Sequence, residues 1–189
     1  VVHHETTTGM LNPIEAIGTL CRKRGVELIV DAMSSYAGIP ISMEAMPADF
    51  LVSSSNKCIQ AMPGLSFVIA WRGRLESMTS IPGRSLYLDL GLQYRFFENH
   101  RQMRFTPPVQ LLHALDTAIQ ELKSEGGVAA RHHRYCECWR VLDGGMRDIG
   151  FRRLLPDEQL SHILTSYLEP THEDYAFDRF HDLLYDRGF

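Results

Sequence analysis

The sequence predicts an α/β fold with a mostly parallel sheet, followed by part of a smaller α+β domain. Short apolar runs, typical of buried strands, alternate with a helical pattern, and polar residues follow several of these runs. After Pro107-Pro108 the apolar residues take a period of 3.6, which indicates a long helix. We therefore expect a domain boundary near residue 110, with residues 1–110 in the first domain and residues 111–189 in the second.

The start of the chain predicts a β-α-β unit. Val1-Val2 begins an apolar strand, and in the helix that follows Asn12 is the expected N-cap and Gly25 the C-cap. Residues 26–30 form a nearly continuous apolar run that ends at Asp31, as expected of a strand buried on both faces of a parallel sheet. Such sheets bind ligands outside the carboxyl ends of their strands.

A second unit repeats this arrangement. Residues 49–52 predict a buried strand, and the polar run at its carboxyl end leads to Lys57. Residues 65–71 predict a further strand. Residues 73–107 look irregular and are rich in Arg, Gly, Pro and aromatic residues. Because so long a connection is unusual inside a compact domain, we expect it to cover a site or a partner subunit.

The C-terminal part predicts helices and short strands. A helical pattern extends to about residue 146, with an interruption near Gly126-Gly127. Residues 151–155 and 162–168 are strand candidates, and residues 174–187 predict an amphipathic helix.

Composition excludes several classes of protein. The chain is 44% apolar and 22% charged with a net charge of −4, which argues against disorder and against a nucleic-acid surface. No apolar run approaches the ~20 residues of a membrane span. Four cysteines are few for this length and suit a reducing, cytoplasmic environment. The first residue is not Met and the last follows a helix C-cap glycine, so we expect a fragment of a longer protein.

Two residues at predicted strand ends have both a structural and a chemical interpretation. Lys57 is either a solvated surface amine or a Schiff-base amine, and the apolar residues on both sides favour the second interpretation. Asp31 is either a turn residue or the carboxylate that pyridoxal phosphate needs against its ring nitrogen, since the protonated pyridinium is the electron sink. Adjacent strands could place them on opposite sides of a ring-sized ligand.

Three separated motifs resemble those of one family. They are His4-Glu5-Thr6-Thr7-Thr8-Gly9, Asp31-Ala32-Met33-Ser34-Ser35, and Ser55-Asn56-Lys57-Cys58-Ile59-Gln60 with Met62-Pro63-Gly64. In this order they resemble the class V aminotransferases, which belong to fold type I and use pyridoxal 5'-phosphate. The resemblance spans most of residues 1–110 and implies part of the three-layer large domain of that fold.

The resemblance implies roles around the cofactor ring. Lys57 would bind the cofactor covalently and then act as the base that moves a proton. Asp31 would pair with the pyridinium nitrogen, and Met33 would lie against one face of the ring. Thr6 would form a hydrogen bond on the side of the ring that carries the 3-oxygen.

It also implies a phosphate site that two subunits share. Asn56 would help to hold the phosphate, and Thr106 matches a family threonine that reaches the phosphate of the neighbouring subunit's cofactor, which implies a homodimer. Ala61 and Ser66 stand where the family usually has glycine, and because both are small we expect only slight crowding. The family's phosphate loop, ring-stacking aromatic residue and substrate arginine would lie outside this chain, so the fragment alone should be inactive.

Within the family, the stretches around Asp31 and Lys57 most resemble enzymes that convert 2-aminoethylphosphonate and pyruvate to phosphonoacetaldehyde and alanine. The alternatives are alanine– or serine–glyoxylate transamination, desulfuration of cysteine, and an inactive module for folding or dimerisation. Desulfuration needs a mobile cysteine, and Cys58 is poorly placed for that because it adjoins Lys57.

Two further groups of side chains have weaker functional interpretations. The first group consists of possible zinc ligands, but it lacks a second pair of ligands that would close a tetrahedral site. Its members are His132, His133, Cys136 and Cys138. The second group is a local excess of arginine, which belongs either to a solvated loop or to a site for an anionic substrate such as a phosphonate. Its members are Arg72, Arg74, Arg84, Arg95, Arg101 and Arg104.

Overall fold

The computed structural model describes residues 1–189. In chain order the strands are β1 (His4–Glu5), β2 (Met10–Leu11), β3 (Ile29–Asp31), β4 (Phe50–Ser54), β5 (Ser66–Ala70), β6 (Arg152–Arg153) and β7 (Tyr167–Leu168). The helices are α1 (Ile14–Arg24), α2 (Arg72–Met78), α3 (Leu90–His100), α4 (Val109–Glu125), α5 (Gly127–Asp148) and α6 (Phe177–Tyr185). None of these helices is long and apolar enough to cross a bilayer.

The chain forms two compact units. The first contains Val1–His4 and Asn12–His132, and the second contains Glu5–Leu11 and His133–Phe189. The units therefore divide inside α5 and not near residue 110, because α4 packs within the first unit. As a domain boundary of the complete protein, residue 110 stays a prediction.

The first unit is built on a sheet with the order β3-β4-β5. Strand β4 pairs parallel to β3 and antiparallel to β5. Val2 forms a further parallel bridge with Asp31, so α1 connects two parallel segments as the predicted β-α-β unit requires. Because these segments run in the same direction, their carboxyl ends meet at one edge of the sheet.

Helix α1 ends as predicted but begins differently. Gly25 is the C-cap in the left-handed conformation, with φ of 63°. The N-cap is Pro13 and not Asn12. The amide of Asn12 donates instead to Val2 O at 2.9 Å, and its backbone N–H donates to His3 O at 2.8 Å. Asn12 thus holds the first strand segment and is not available to cap the helix.

The core of the first unit lies on one face of β3. Leu28 and Val30 are buried and cluster with Ile14 of α1. The prediction that residues 26–30 are buried on both faces is wrong for this chain, because Val26 and Ile29 are 57% and 56% exposed. The strand alternates as one that is covered on a single face does.

Residues 73–107 contain two helices and are not the irregular segment that we expected. Asp89 caps α3 by accepting a hydrogen bond from Leu92 N at 2.8 Å. Gly91 allows close packing of α2 and α3, since a Cβ there would lie 2.9 Å from Met78 O. This contact joins positions that are distant in sequence, so the local pattern did not reveal it.

The long helical segment after residue 108 is confirmed, with its interruption at Gly126-Gly127. Ala118 of α4 is buried in a second apolar cluster with Ala37 and Ile59. This packing places α4 in the first unit. It also brings α4 against the turn that follows Lys57.

The second unit contains the antiparallel pair β6–β7 and helix α6, all of which are shorter than predicted. The side chain of Phe151 contacts the rings of Tyr167, Tyr175 and Phe180. Gly9 lies in this unit with φ of 80°, and a Cβ there would approach Leu164 O to 2.3 Å. Only glycine fits this turn between β1 and β2.

A buried carboxylate organises the polar side of the second unit. Asp143 is 2% exposed and accepts hydrogen bonds from Nε and Nη2 of Arg153 and from Tyr167 Oη. Arg147 forms an ion pair with it at 3.1 Å. The hydrogen bonds from Arg153 hold the pKa of Asp143 below its ordinary value, and burial together with Asp143 raises the pKa of Tyr167 to about 12.

Replacing Asp143 with Ala should lower the free energy of unfolding of the complete protein by about 3 kcal/mol, because the Arg153 guanidinium loses its buried partner. Urea unfolding measures this change. The matched control is Glu137→Ala on the same helix, whose solvent-exposed pair with Arg140 should contribute far less to stability. In the wild-type protein, the stabilisation that ionised Asp143 provides should be present above pH 3.8 and decline as the pH falls further. Equal losses in the two variants would contradict this prediction.

Candidate active site

Polar residues follow three parallel segments at one edge of the first sheet. His3 and His4 follow Val2, the segment from Asp31 to Ser35 follows β3, and Asn56 and Lys57 follow β4. This is the edge at which open α/β sheets bind their ligands. The predicted candidates Asp31, Met33, Asn56 and Lys57 therefore share one edge.

Asp31 is the last residue of β3 and is half-buried. Its backbone pairs with the first segment on one side, since Asp31 N donates to Val1 O and His3 N donates to Asp31 O, both at 2.8 Å. Its carboxylate Oδ1 accepts a hydrogen bond from Met33 N at 2.8 Å. Asp31 therefore acts as a turn residue through one oxygen, which orients the carboxylate and leaves Oδ2 available to a ligand N–H.

Lys57 lies in a tight turn after β4. Lys57 O accepts a hydrogen bond from Gln60 N at 2.8 Å, and Gln60 has a left-handed backbone with φ of 67°. The base of the turn is closed by Ser55, whose Oγ donates to Met62 O at 2.6 Å. The Lys57 side chain is exposed, whereas we expected its apolar neighbours to bury it. The buried residue of this turn is instead Ile59, which is 3% exposed.

Asn56 and Cys58 flank Lys57 and differ in what they contact. Asn56 Oδ1 accepts a hydrogen bond from Ser54 Oγ at 3.0 Å, so the amide is held at the strand end. Cys58 Sγ donates to Ser34 O at 3.4 Å, which links the Lys57 turn directly to the loop that follows Asp31. Burial raises the pKa of the Cys58 thiol, so it remains protonated and is a poor nucleophile.

Two histidines support the loop after Asp31, a role that sequence reasoning did not identify. His3 Nδ1 and Ser35 Oγ share a buried hydrogen bond of 2.9 Å. His4 Nδ1 lies 3.1 Å from Ser34 Oγ, which in turn donates to His4 O at 2.8 Å. Burial and the neighbouring His4 lower the pKa of His3, so it is neutral at pH 7.

The lowered pKa of His3 makes stability depend on pH. The unfolded chain binds a proton near the ordinary value of 6.5 and the folded chain binds it only at lower pH, so stability should fall as the pH drops below 6.5. In denaturant titrations, His3→Gln should remove part of this slope. His113→Gln, at an exposed position of α4, is the control and should retain it. An unchanged slope in His3→Gln would show that other groups cause the pH dependence.

Thr6 and Thr106 belong to other segments of the chain than the three just described. Thr6 is an exposed residue in the turn between β1 and β2, which belongs to the second unit. Thr106 is exposed in the segment between α3 and α4, and its hydroxyl forms no hydrogen bond within the chain. Their contacts with a cofactor, and the subunit-spanning role of Thr106, stay predictions.

The arginines between residues 72 and 104 mostly contact the protein itself. Arg74 pairs with Asp49 at 2.6 Å and with Glu27 at 3.3 Å. The others with partners on the chain are Arg72 and Arg101, which pair with Glu98, and Arg95 and Arg104, which donate to backbone carbonyls. These contacts favour the interpretation as a solvated, structural surface.

The two positions at which the family usually has glycine impose no backbone strain. Ala61 and Ser66 are absent from the residues with positive φ, so neither position requires glycine. Gly64, which the chain retains, has φ of 122°, and a Cβ there would lie 2.6 Å from Leu111 Cδ1. Glycine is therefore present at the position where the positive φ of the backbone requires it.

The sequence of this chain is similar to those of known proteins. The family model described as aminotransferase class-V matches residues 1–179. The chain is 48% identical to a 2-aminoethylphosphonate–pyruvate transaminase from Aeromonas hydrophila over 190 aligned positions, which cover all of this chain and 50% of that protein. It is 49% identical to the enzyme of the same name from Salmonella dublin, of which it covers 52%. The chain thus spans about half the length of the curated relatives it matches.

Solved structures agree with the fold prediction. An alanine–glyoxylate aminotransferase from Nostoc sp. superposes with a TM-score of 0.88 at 28% identity, covering 99% of this chain and 49% of that one. A pyridoxamine–pyruvate aminotransferase from Mesorhizobium loti superposes with a TM-score of 0.81 at 30% identity, covering 92% and 45%. The chain belongs to the class V aminotransferase family. The predicted fold-type I architecture, represented by part of its large domain, is confirmed.

The residues at the sheet edge fit the cofactor that this family implies. Pyridoxal phosphate needs an amine for its aldehyde, a carboxylate for its ring nitrogen and donors for its phosphate. Lys57 supplies an exposed amine without an ion-pair partner on the chain, and Asp31 supplies an oriented carboxylate with one free oxygen. Asn56 adds an amide whose carbonyl oxygen is already bonded to Ser54, which leaves its NH₂ group as a donor.

Proposed function

We propose that the complete protein transfers the amino group of 2-aminoethylphosphonate to pyruvate, forming phosphonoacetaldehyde and alanine, with pyridoxal phosphate as cofactor. The observation that carries the proposal is the placement of Asp31 and Lys57 at the ends of adjacent parallel strands. The choice of substrates rests on the names of the relatives that are 48–49% identical to this chain.

Each residue at the sheet edge has a distinct task in this proposal. When bound, pyridoxal phosphate supplies the electron sink that stabilises negative charge on the carbon next to the amine. Asp31 would place a negative charge beside the ring nitrogen, and the hydrogen bond that it accepts from Met33 N orients its carboxylate. Met33 would lie against one face of the ring and Asn56 would donate to the phosphate. Thr6, which is not one of the sheet-edge residues, would form a hydrogen bond near the 3-oxygen.

Lys57 would hold the cofactor and would then act as the base that moves the proton. Its side chain is exposed and has no ion-pair partner on the chain, so the amine would be available to bind the cofactor. Ser55 holds the backbone of this turn, which would restrict the positions from which the amine can move the proton. General base catalysis by a positioned amine typically increases the reaction rate by about 10²- to 10⁴-fold.

We further propose that the complete protein is a cytoplasmic homodimer with shared active sites. Several large apolar side chains between residues 81 and 112 are exposed, and Thr106 lies in the same segment. They are Ile81, Leu86, Tyr87, Leu88, Phe97, Met103, Phe105, Val109 and Leu112. Burial of this surface against a second copy would bring Thr106 to the neighbouring subunit, where it would reach the phosphate.

The test is a panel of amino donors and acceptors with the complete protein, loaded with pyridoxal phosphate. We expect 2-aminoethylphosphonate with pyruvate to give the highest kcat/KM, measured as alanine formed. A preference for alanine or serine with glyoxylate would replace this proposal with the alternative transaminase. Release of sulfide from cysteine would indicate desulfuration, which the protonated Cys58 and its bond to Ser34 oppose.

A further inference from the structure

A buried arginine holds the turn that carries Lys57. Arg131, on α5, is 2% exposed. Its Nη1 donates to Cys58 O at 2.8 Å and to Ile59 O at 3.2 Å. These carbonyls belong to the first and second residues after Lys57, so a side chain 73 positions after Cys58 fixes the backbone of the turn.

The guanidinium of Arg131 carries a buried charge, which requires partners that compensate it. Arginine stays protonated in proteins, and a buried charge is costly unless a partner compensates it. Glu125, at the end of α4, is that partner, since its Oε2 accepts from Nε at 2.9 Å and pairs with Nη2 at 2.8 Å. With Nε and Nη2 on the carboxylate, the remaining arm is aimed at the two carbonyls of the turn.

The turn has little freedom to move while this arm is in place. Cys58 is also bonded to Ser34 O, and Ile59 is buried against Ala37 and Ala118. Displacement of the turn would leave the guanidinium with unsatisfied donors in a buried place, which is unfavourable. The Lys57 backbone is therefore rigid although its side chain is exposed.

We propose that Arg131 is a positioning residue for Lys57, which sets where the amine stands when it moves the proton. This inference rests on the proposed function. Small displacements of a reacting group are costly, about 10²-fold in rate for an error of 1 Å. A purely structural role for Arg131 predicts instead that its loss reduces the amount of folded protein and leaves the turnover of each intact site unchanged.

The main variant is Arg131→Lys in the complete protein, because lysine keeps the charge but cannot bond Glu125 and two carbonyls in one planar geometry. Borohydride reduction counts the sites with cofactor on Lys57. We expect kcat per such site to fall about 10- to 100-fold, with the KM of the donor changed by less than about threefold. In the cofactor-free protein, we expect faster hydrogen exchange in the peptide covering residues 55–62.

Arg153→Lys is the matched control, since Arg153 is also a largely buried arginine paired with a carboxylate, Asp143, in the other unit. It should reduce stability and leave both kcat per site and exchange of residues 55–62 unchanged. If Arg131→Lys fails to fold, Glu125→Gln keeps the guanidinium and weakens its orientation, and should show a smaller change in the same two measurements.

The outcomes separate this inference from the proposed function. If the wild-type protein forms no adduct on Lys57, the proposed function fails, and the exchange measurement alone decides whether Arg131 holds the turn. If wild type is active and Arg131→Lys keeps both kcat per site and slow exchange, Arg131 does not position Lys57. A lower kcat per site with faster exchange, seen in Arg131→Lys and not in Arg153→Lys, supports the inference.

Discussion

Replacement of Lys57 with Ala should reduce transamination by the complete protein at least about 100-fold, the lower end of what a positioned proton-transfer group contributes. The variant loses the only candidate at the sheet edge that can both bind an aldehyde and carry the proton. Its fold should be intact, because the side chain is exposed and such substitutions change the free energy of unfolding by only about 0.5 kcal/mol or less.

Two measurements check this expectation. Alanine formation gives the activity, and borohydride reduction with peptide mapping gives the residue that carries the cofactor. Lys123→Ala, at an exposed position of α4, is the matched control and should retain full activity and labelling of Lys57. Label on Lys23 or Lys123, or appreciable turnover by Lys57→Ala, would remove Lys57 from its assigned role.

Asp31→Asn should lower kcat at least about 100-fold, which corresponds to about 2.8 kcal/mol of transition-state stabilisation at 1.4 kcal/mol for each factor of ten. The change is nearly isosteric, and Asn Oδ1 can still accept the hydrogen bond from Met33 N. The local turn should therefore persist. The loss is specific to the negative charge, without which the protonated ring nitrogen is no longer stabilised.

Cofactor affinity should change much less than kcat in this variant, because the other contacts to the ring and phosphate remain. A fluorescence titration measures the affinity, and steady-state kinetics measure kcat. Asp49→Asn serves as the control, since Asp49 precedes β4 at the opposite edge and bonds to Leu28 N and Arg74. Near-normal turnover by Asp31→Asn would mean that this carboxylate does not face the ring.

Local chemistry was sufficient to predict several features of the fold. Gly25 ends α1 because a left-handed residue closes the helix, and glycine adopts that conformation without strain. The alternation of strand and helix predicted the parallel order of the first segment, β3 and β4. Polar residues directly after these strands predicted that Asp31 and Lys57 lie at one edge.

Predictions failed where a distant contact decides the outcome. Asn12 has the side chain of an N-cap, but it bonds to Val2 and His3, so the helix begins one residue later than predicted, with Pro13 at the N-cap position. Residues 73–107 contain α2 and α3, whose packing depends on Gly91 against Met78. The prediction that Lys57 is partly buried was also wrong. Apolar neighbours in sequence do not specify which side chain faces the core, and in this turn it is Ile59.

The sequence by itself determined the family, the β-α-β order at the start of the chain, and the residues whose types suit pyridoxal phosphate, since motifs and periodicity are local properties of the chain. Only the tertiary structure decided how these residues are held. The thiol of Cys58 on Ser34 O and the guanidinium of Arg131 on Cys58 O join segments separated by 24 and 73 positions. Nothing in the local sequence distinguishes Arg131 from the exposed Arg134, because burial of the Arg131 charge depends on Glu125 and on carbonyls that only the folded chain brings within reach.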